Sequence, residues 1–493
     1  MSRFLWSTRG VCSSRPWPWY SHESRWDLAP GYRVDNPQFD RPIKPDCLFC
    51  HANQFEPVKG AENRYVAPTF RGHAIGCERC HGPGQLHASH PEEAGAEDLA
   101  IVNPAKLEPA LRGDVCRQCH LLGSIRFARG GRDLLEYRPG LPLRRFLAVF
   151  LKTAGDAGNG EFRAVGHFEQ MEASRCATAS RGVLGCTSCH DPHRVPRPAE
   201  RVAYYRNRCM ACHADRGCSV PLSERTAQGR GDDCVACHMP RSNVTNIPHT
   251  AATNHAIPRR SDTSGITPQH PDPRAEPLID VFAHEMSPDE RADAQRDMGV
   301  ALSTAGWFVR SSARSEATQL GQRAIPLLEP AVMRDPGDVP AREALGVARA
   351  LSGQFDAALK AFEEVTQRVP GQESSLRSQA LLLTDLNRPA EAARVWRQAI
   401  ALDPWRSDYH AGLALTAYRS SDWASAVNAC RSGLKRNPAR TELRSLLVQA
   451  LLRAGKPDEA DAEFAHVLSL NRAGREVWID WYSREKAAAA VAR

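Results

Sequence analysis

Apolar and polar positions alternate in two different ways along this chain, and the change falls near residue 260. Beyond it, small and apolar residues recur at a fixed interval. Ala324, Ala358, Ala392, Ala426 and Ala460 are 34 residues apart, and Pro336, Pro370, Pro404 and Pro438 keep the same step. A period of this length predicts a helix–turn–helix unit, in which the alanine lets two helices approach and the proline breaks the chain between units. The unit that starts at Val339 is the clearest, with Leu345, Gly346, Ala358, Phe362 and Pro370 in register. Three further units follow to about Gly474. A degenerate one precedes them from Asp289 to Pro336, with an insertion around Arg310 to Glu316, and Trp478 to Ala490 reads as a polar capping helix. Before residue 260 helical periodicity is weak and turn signals are dense. They include Gly82-Pro83-Gly84, Asp191-Pro192, and prolines at 196, 198, 240, 248 and 258. This pattern predicts short helices and long loops. The proline-rich, polar stretch Arg259 to Pro277 reads as a linker. The longest apolar run, Phe146 to Leu151, is far below the roughly 20 residues of a membrane helix, so no transmembrane segment is expected.

Composition adds two constraints. A chain of 493 residues exceeds one core and implies two or three domains. The net charge of +7 comes from 56 Arg and 8 Lys scattered among 57 acids, without the clustered basic stripe that a nucleic-acid partner would require. Cysteine is the unusual residue: there are 16, and 15 of them precede residue 240.

Twelve of these cysteines form six Cys-x-x-Cys pairs, each followed at once by histidine. The first three sets are Cys47, Cys50 and His51; Cys77, Cys80 and His81; and Cys116, Cys119 and His120. The other three are Cys186, Cys189 and His190; Cys209, Cys212 and His213; and Cys234, Cys237 and His238. This is the attachment pattern of haem c. Two thiols at this spacing reach the two vinyl groups of one porphyrin, and the adjacent imidazole becomes the proximal ligand of the iron. A zinc site would take its remaining ligands from a distance, and a thioredoxin-type motif would occur once. A disulfide framework has no use for the histidines. Six successes out of six by chance would be on the order of one in a few hundred million. The expected cofactor is therefore six covalently attached haem c groups with their iron.

Candidates for the sixth iron position come from the remaining histidines of the first 260 residues. His87, His167, His193, His249 and His255 are favoured, with His22, His73 and His90 ranked lower. Methionine is scarce in this region, so mostly bis-histidine ligation and low potentials are expected. From Cys47 to His255 the chain spends only about 35 residues per haem, too few for a separate core around each. The macrocycles must supply much of the core, and the segment should not fold without them.

Cys77-Glu-Arg-Cys-His-Gly-Pro-Gly, followed by His87, Cys186-Thr-Ser-Cys-His-Asp-Pro-His193, and Cys234-Val-Ala-Cys-His-Met-Pro, followed by His249 and His255, resemble multihaem cytochromes c of the c-554 type. Members fused to tetratricopeptide repeats are the most similar, over roughly residues 17 to 486. The resemblance implies distal-ligand roles for His87, His193, His249 and His255. It also leaves a disulfide and two buried thiols open for Cys176 and Cys218. The implied fold is mainly α, a loop-rich multihaem cytochrome c domain followed by an α-α superhelix of tetratricopeptide (TPR) repeats. The expected division is an N-terminal segment over 1–45, the six-motif domain over 46–258, a linker over 259–288 and the repeats over 289–486.

Haem is attached outside the cytoplasm, so a periplasmic location is expected. Met1 to Tyr20 lacks the apolar stretch of an export signal, which reads as a misplaced start or a truncated gene. The function these features favour is an exported electron carrier whose repeat array docks a redox partner protein or a membrane redox complex. The alternative is an oxidoreductase of small inorganic nitrogen or sulfur species at one open haem. No Cys-x-x-Cys-Lys variant marks such a haem.

Overall fold

A computed structural model of the protein describes residues 5–8, 10–14, 19–20, 24–29, 41–72, 75–89, 100–152, 166–214, 217–227, 231–243, 251–259, 278–288 and 290–491. The chain divides into two compact units, one of Met1–Ala74 with Leu302–Arg493, the other of Ile75–Ala301. The first haem motif thus falls in the unit that holds the repeats. Most of the expected linker, 260–277, lies outside the described residues.

In the repeat unit the 34-residue step becomes four helix pairs. They are Val339–Leu351 with Phe355–Arg368, Glu373–Asp385 with Pro389–Leu402, Ser407–Arg419 with Trp423–Leu434, and Thr441–Arg453 with Pro457–Leu470. Helix Arg314–Arg334 belongs to the degenerate unit before them, and Arg475–Val491 closes the stack. All five periodic alanines are fully buried, because each sits where a second helix crosses and any larger side chain would hold the two apart. Local signals start the helices where expected. Asp338 and Asp422 accept the backbone N–H of Ala341 and Ser425, and Pro389 and Pro457 open their helices in the first turn. Cys430, at the large-apolar position of its repeat, is fully buried among Leu443, Leu447 and Ala426.

The N-terminal part of this unit is a hairpin, Leu5–Thr8 against Val11–Ser14, followed by the helix Pro45–His51. All four residues of Val11–Ser14 are buried. Gly10 turns the hairpin at φ +79, and a Cβ there would stand 2.6 Å from the Tyr65 carbonyl oxygen. Cys12 is buried, and its backbone exchanges hydrogen bonds with Asn63.

The other unit has an element that the sequence pattern did not suggest. Ile125–Ala128, Leu147–Lys152 and Leu278–Asp280 form a three-stranded antiparallel sheet. Leu147, Ala148, Val149 and Phe150 in its central strand are fully buried. Arg129, itself buried, pairs with Asp280 and Asp297 beside this sheet. Helix Pro109–His120 is tied in through Asp114, whose carboxylate accepts the Leu143 N–H at 2.9 Å. Beyond Phe168 the packing changes: among the described residues of 175–258, Pro196 is the only apolar one that is buried.

Candidate haem-binding sites

Each motif is laid on a short helix, and this is what gives the spacing its meaning. The carriers are Pro45–His51, Glu78–His81, the end of Pro109–His120, Cys186–Cys189, the end of Arg201–His213, and Cys234–His238. Residues three and four apart share one helix face, which puts both thiols of a motif on the face of its histidine, except that His190 follows its helix in extended backbone. No disulfide joins the motif cysteines to one another or to Cys176 or Cys218. Of the leading cysteines, Cys47, Cys116, Cys186, Cys209 and Cys234 are half-buried and Cys77 is exposed. Of the trailing ones, Cys50, Cys80, Cys119, Cys189 and Cys237 are half-buried and Cys212 is exposed.

Three of the histidines favoured as distal ligands lie beside particular motif histidines. His193 faces His81 with ring centres 5.9 Å apart and planes 17° from parallel. His167 faces His120 at 5.9 Å and 22°, and His255 faces His190 at 6.3 Å and 27°. An imidazole that held a metal through Nε2 would have its ring centre about 3 Å from it. Each of these separations would let the two imidazoles share one metal between them. His167 and His255 are also mutual neighbours, with ring centres 4.4 Å apart.

Hydrogen bonds set the tautomers. Nδ1 of His81 lies 2.8 Å from the Val102 carbonyl oxygen, Nδ1 of His238 3.0 Å from that of Pro258, and Nδ1 of His255 2.7 Å from that of Thr253. A carbonyl only accepts, so each Nδ1 carries the proton and each Nε2 presents a lone pair. The His255 backbone is held in turn by the Gln170 side chain at 2.8 Å. Charge is disfavoured at these rings. Burial, then His255, His120 and His190, bring His167 down to about 4, and burial lowers His190 and His255 as well. All three are neutral near pH 7, the form a metal requires.

The motifs also meet one another. The Cys116 and Cys186 thiols are close enough to perturb each other, raising the first and lowering the second to about 7. Burial and then its neighbour Cys234 push Cys209 up to about 11. The third and fourth motifs, and likewise the fifth and sixth, thus have neighbouring thiols.

The lining fits a large apolar cofactor. Helix Arg201–His213 carries Val202, Tyr204 and Tyr205 yet has no buried side chain, and Val183 and Val195 are 76% and 90% exposed. Thirteen helical residues with no buried face are not self-supporting in water, and macrocycles over these surfaces would complete the missing core. Among the described residues no three His, Cys, Asp or Glu side chains gather into a metal-ion cluster. Haem c asks for no such cluster, because Cys50, Cys119, Cys212, Cys237 and the other motif thiols would bond to the porphyrin and only the imidazoles to the iron.

The other sequence candidates are placed as follows. His87 is half-buried on the short helix Gln85–Ser89, His51 and His213 are exposed at their helix ends, and His238 is half-buried. His22, His73, His90 and His249 lie outside the described residues. Cys176 and Cys218 are both free, the first half-buried and the second exposed, so neither the disulfide nor a pair of buried thiols is present. Sequence reasoning missed Tyr205, whose ring stands edge-on to His190 at 5.6 Å, and the carbonyls of Val102, Thr253 and Pro258. Backbone acceptors leave no residue-type signal.

Comparison with known proteins agrees at the level of motifs. A family model described as a doubled CXXCH motif matches residues 179–217, which hold the fourth and fifth sets. Two models of the tetratricopeptide repeat match residues 319–373 and 377–439, and 417–478. The helical array is a tetratricopeptide repeat array. The chain therefore joins a paired CXXCH motif, the mark of a c-type cytochrome, to TPR repeats, and its fold is mainly α. Solved structures of MamA are similar to part of it. One, titled MamA AMB-1 P212121, is 18% identical over 38% of this chain and 94% of its own, with a TM-score of 0.32. Another, MamA 41-end from Desulfovibrio magneticus RS-1, is 16% identical over 36% of this chain and 96% of its own, with a TM-score of 0.30. No curated protein matches.

Proposed function

We propose that this protein is an exported, periplasmic multihaem cytochrome c of the c-554 type that carries electrons through six haems, most of them bis-histidine ligated. Its tetratricopeptide array docks a protein partner, either a redox protein or a membrane redox complex. The observation that carries the reading is the set of three histidine pairs at 5.9, 5.9 and 6.3 Å, each joining a motif histidine to one favoured as distal ligand. Bound haem supplies one-electron chemistry at its iron, and two imidazoles per iron favour a low potential and leave no open position for substrate.

The chain's own residues do the rest. Val102, Thr253 and Pro258 orient the imidazoles by accepting from Nδ1. The neighbouring thiols of the third and fourth motifs, and of the fifth and sixth, would bring macrocycles close together, as electron transfer over short gaps requires.

The test is electron paramagnetic resonance of the oxidised protein, produced with an export signal and a working haem-attachment system. Uniformly low-spin iron is expected. A stoichiometric high-spin iron would replace the carrier with an oxidoreductase acting at one open haem.

A further inference from the structure

One face of the repeat array already holds a ligand, and that ligand belongs to the same chain. Glu62 lies between Arg377 at 3.3 Å and Arg406 at 2.9 Å, with Lys44 at 4.0 Å. Two residues on, Arg64 reaches Glu373 at 3.1 Å. The other carboxylate oxygen of Glu373 accepts from the Tyr409 hydroxyl at 3.2 Å. Arg377 and Glu373 lie on the first helix of one repeat. Arg406 precedes the first helix of the next, where it is also bound to Asp408 at 2.7 Å.

The backbone completes the contact. The Glu373 N–H is in the first turn of its helix, where no intrahelical acceptor exists, and it donates to the Gly60 carbonyl at 2.9 Å. Gly60 has φ +81, and a Cβ on it would stand 2.7 Å from the Gly371 carbonyl carbon, so only glycine permits the approach. The charges are out of solvent: the Glu373 side chain is 0% exposed and those of Glu62 and Arg406 are 8% and 9%. Charges so enclosed are held only when paired, and each of these is.

We propose that this face of the repeats is a receptor for a glycine-led segment carrying a Glu-x-Arg pair, and that its resident ligand is the chain's own Gly60–Arg64. The array then acts as a clamp on the first Cys-x-x-Cys-His segment. Lys44, which precedes helix Pro45–His51, shares Glu62 with the two arginines, and the Tyr65 hydroxyl donates to the Ile43 carbonyl at 2.6 Å. An outside partner therefore docks on other repeat surfaces. The inference does not rest on haem binding.

Hydrogen–deuterium exchange of the full chain tests it, with the Glu373 amide as reporter. In the unmodified protein that amide should exchange roughly tenfold or more slowly than in the double reversal Glu62→Arg/Arg64→Glu. A synthetic peptide spanning residues 56–67 should bind the reversed protein and not the unmodified one. Gly60→Val releases the segment without altering charge and should give the same two results. Exchange of the Glu373 amide in the unmodified protein at the rate of an exposed first-turn amide would overturn the proposal, whatever the variants do. So would equal peptide binding by the unmodified and released proteins.

Discussion

His193 carries much of the argument for its site through a single distance. Its ring is 5.9 Å from that of His81, and the His81 Nδ1 is committed to the Val102 carbonyl, so the His81 Nε2 is left to give to a metal that His193 would share. Replacing His193 by alanine should turn one haem high-spin and leave the remaining low-spin signals unchanged; an unaltered spectrum would exclude His193 as a ligand. Cys430 makes the opposite prediction. It is fully buried and burial pushes its thiol up to about 12, so at pH 8 it carries almost no thiolate. Iodoacetamide should leave it unmodified in the folded protein and alkylate it after denaturation, and rapid labelling of the native protein would contradict this. At this scale the sequence was legible where chemistry fixes residue type and spacing. The six motifs could be read directly, but the pairing of His193 with His81 could not, because only the folded chain brings such distant segments together. The carbonyl acceptors were invisible for another reason: any residue has one.

The helices of the array were legible because packing imposes a period. A site where two helices cross accepts only a small residue, and Ala358 and Ala392 mark such crossings by being fully buried. Gly412 shows how strict such a place is, since a Cβ there would stand 2.3 Å from Cζ2 of Trp396, itself almost fully buried. Gly412→Ala should therefore destabilise the array by about 1–3 kcal/mol through overpacking, despite the better helix propensity of alanine. Thermal unfolding of the repeat unit measures this, and an unchanged or raised midpoint would show that Trp396 moves aside at no cost. The sheet had no comparable period. Ile125–Ala128 is four residues long, and Leu278–Asp280 sits at the end of a stretch that composition assigns to a linker. Its strand character comes from pairing with Leu147–Lys152, a partner too far away in sequence for any local pattern to reveal.

The two units of the molecule are held together internally by different physics. The repeats bury aliphatic and aromatic side chains throughout, from Leu328 to Val467. In the other unit the sheet has such a core, whereas the described part of 175–258 buries only Pro196 among its apolar residues. Haem-free protein should therefore be cut by protease throughout 175–258 while residues 314–470 resist; equal resistance of both regions would mean that 175–258 folds without haem. The density of motifs told as much in the sequence, since so few residues per haem cannot enclose a separate core. What it did not tell was that the first motif groups with the repeats rather than with the other five, because that grouping depends on side chains such as Glu62 that no haem signature includes. The central claim is that all six Cys-x-x-Cys-His sets carry haem. Intact-protein mass with iron quantified per chain, on protein exported and matured in a cell that attaches haem c, tests it most directly. The account predicts a single species heavier by six haem groups, with six irons. A mass equal to that of the bare chain, or zinc in place of iron, would contradict it.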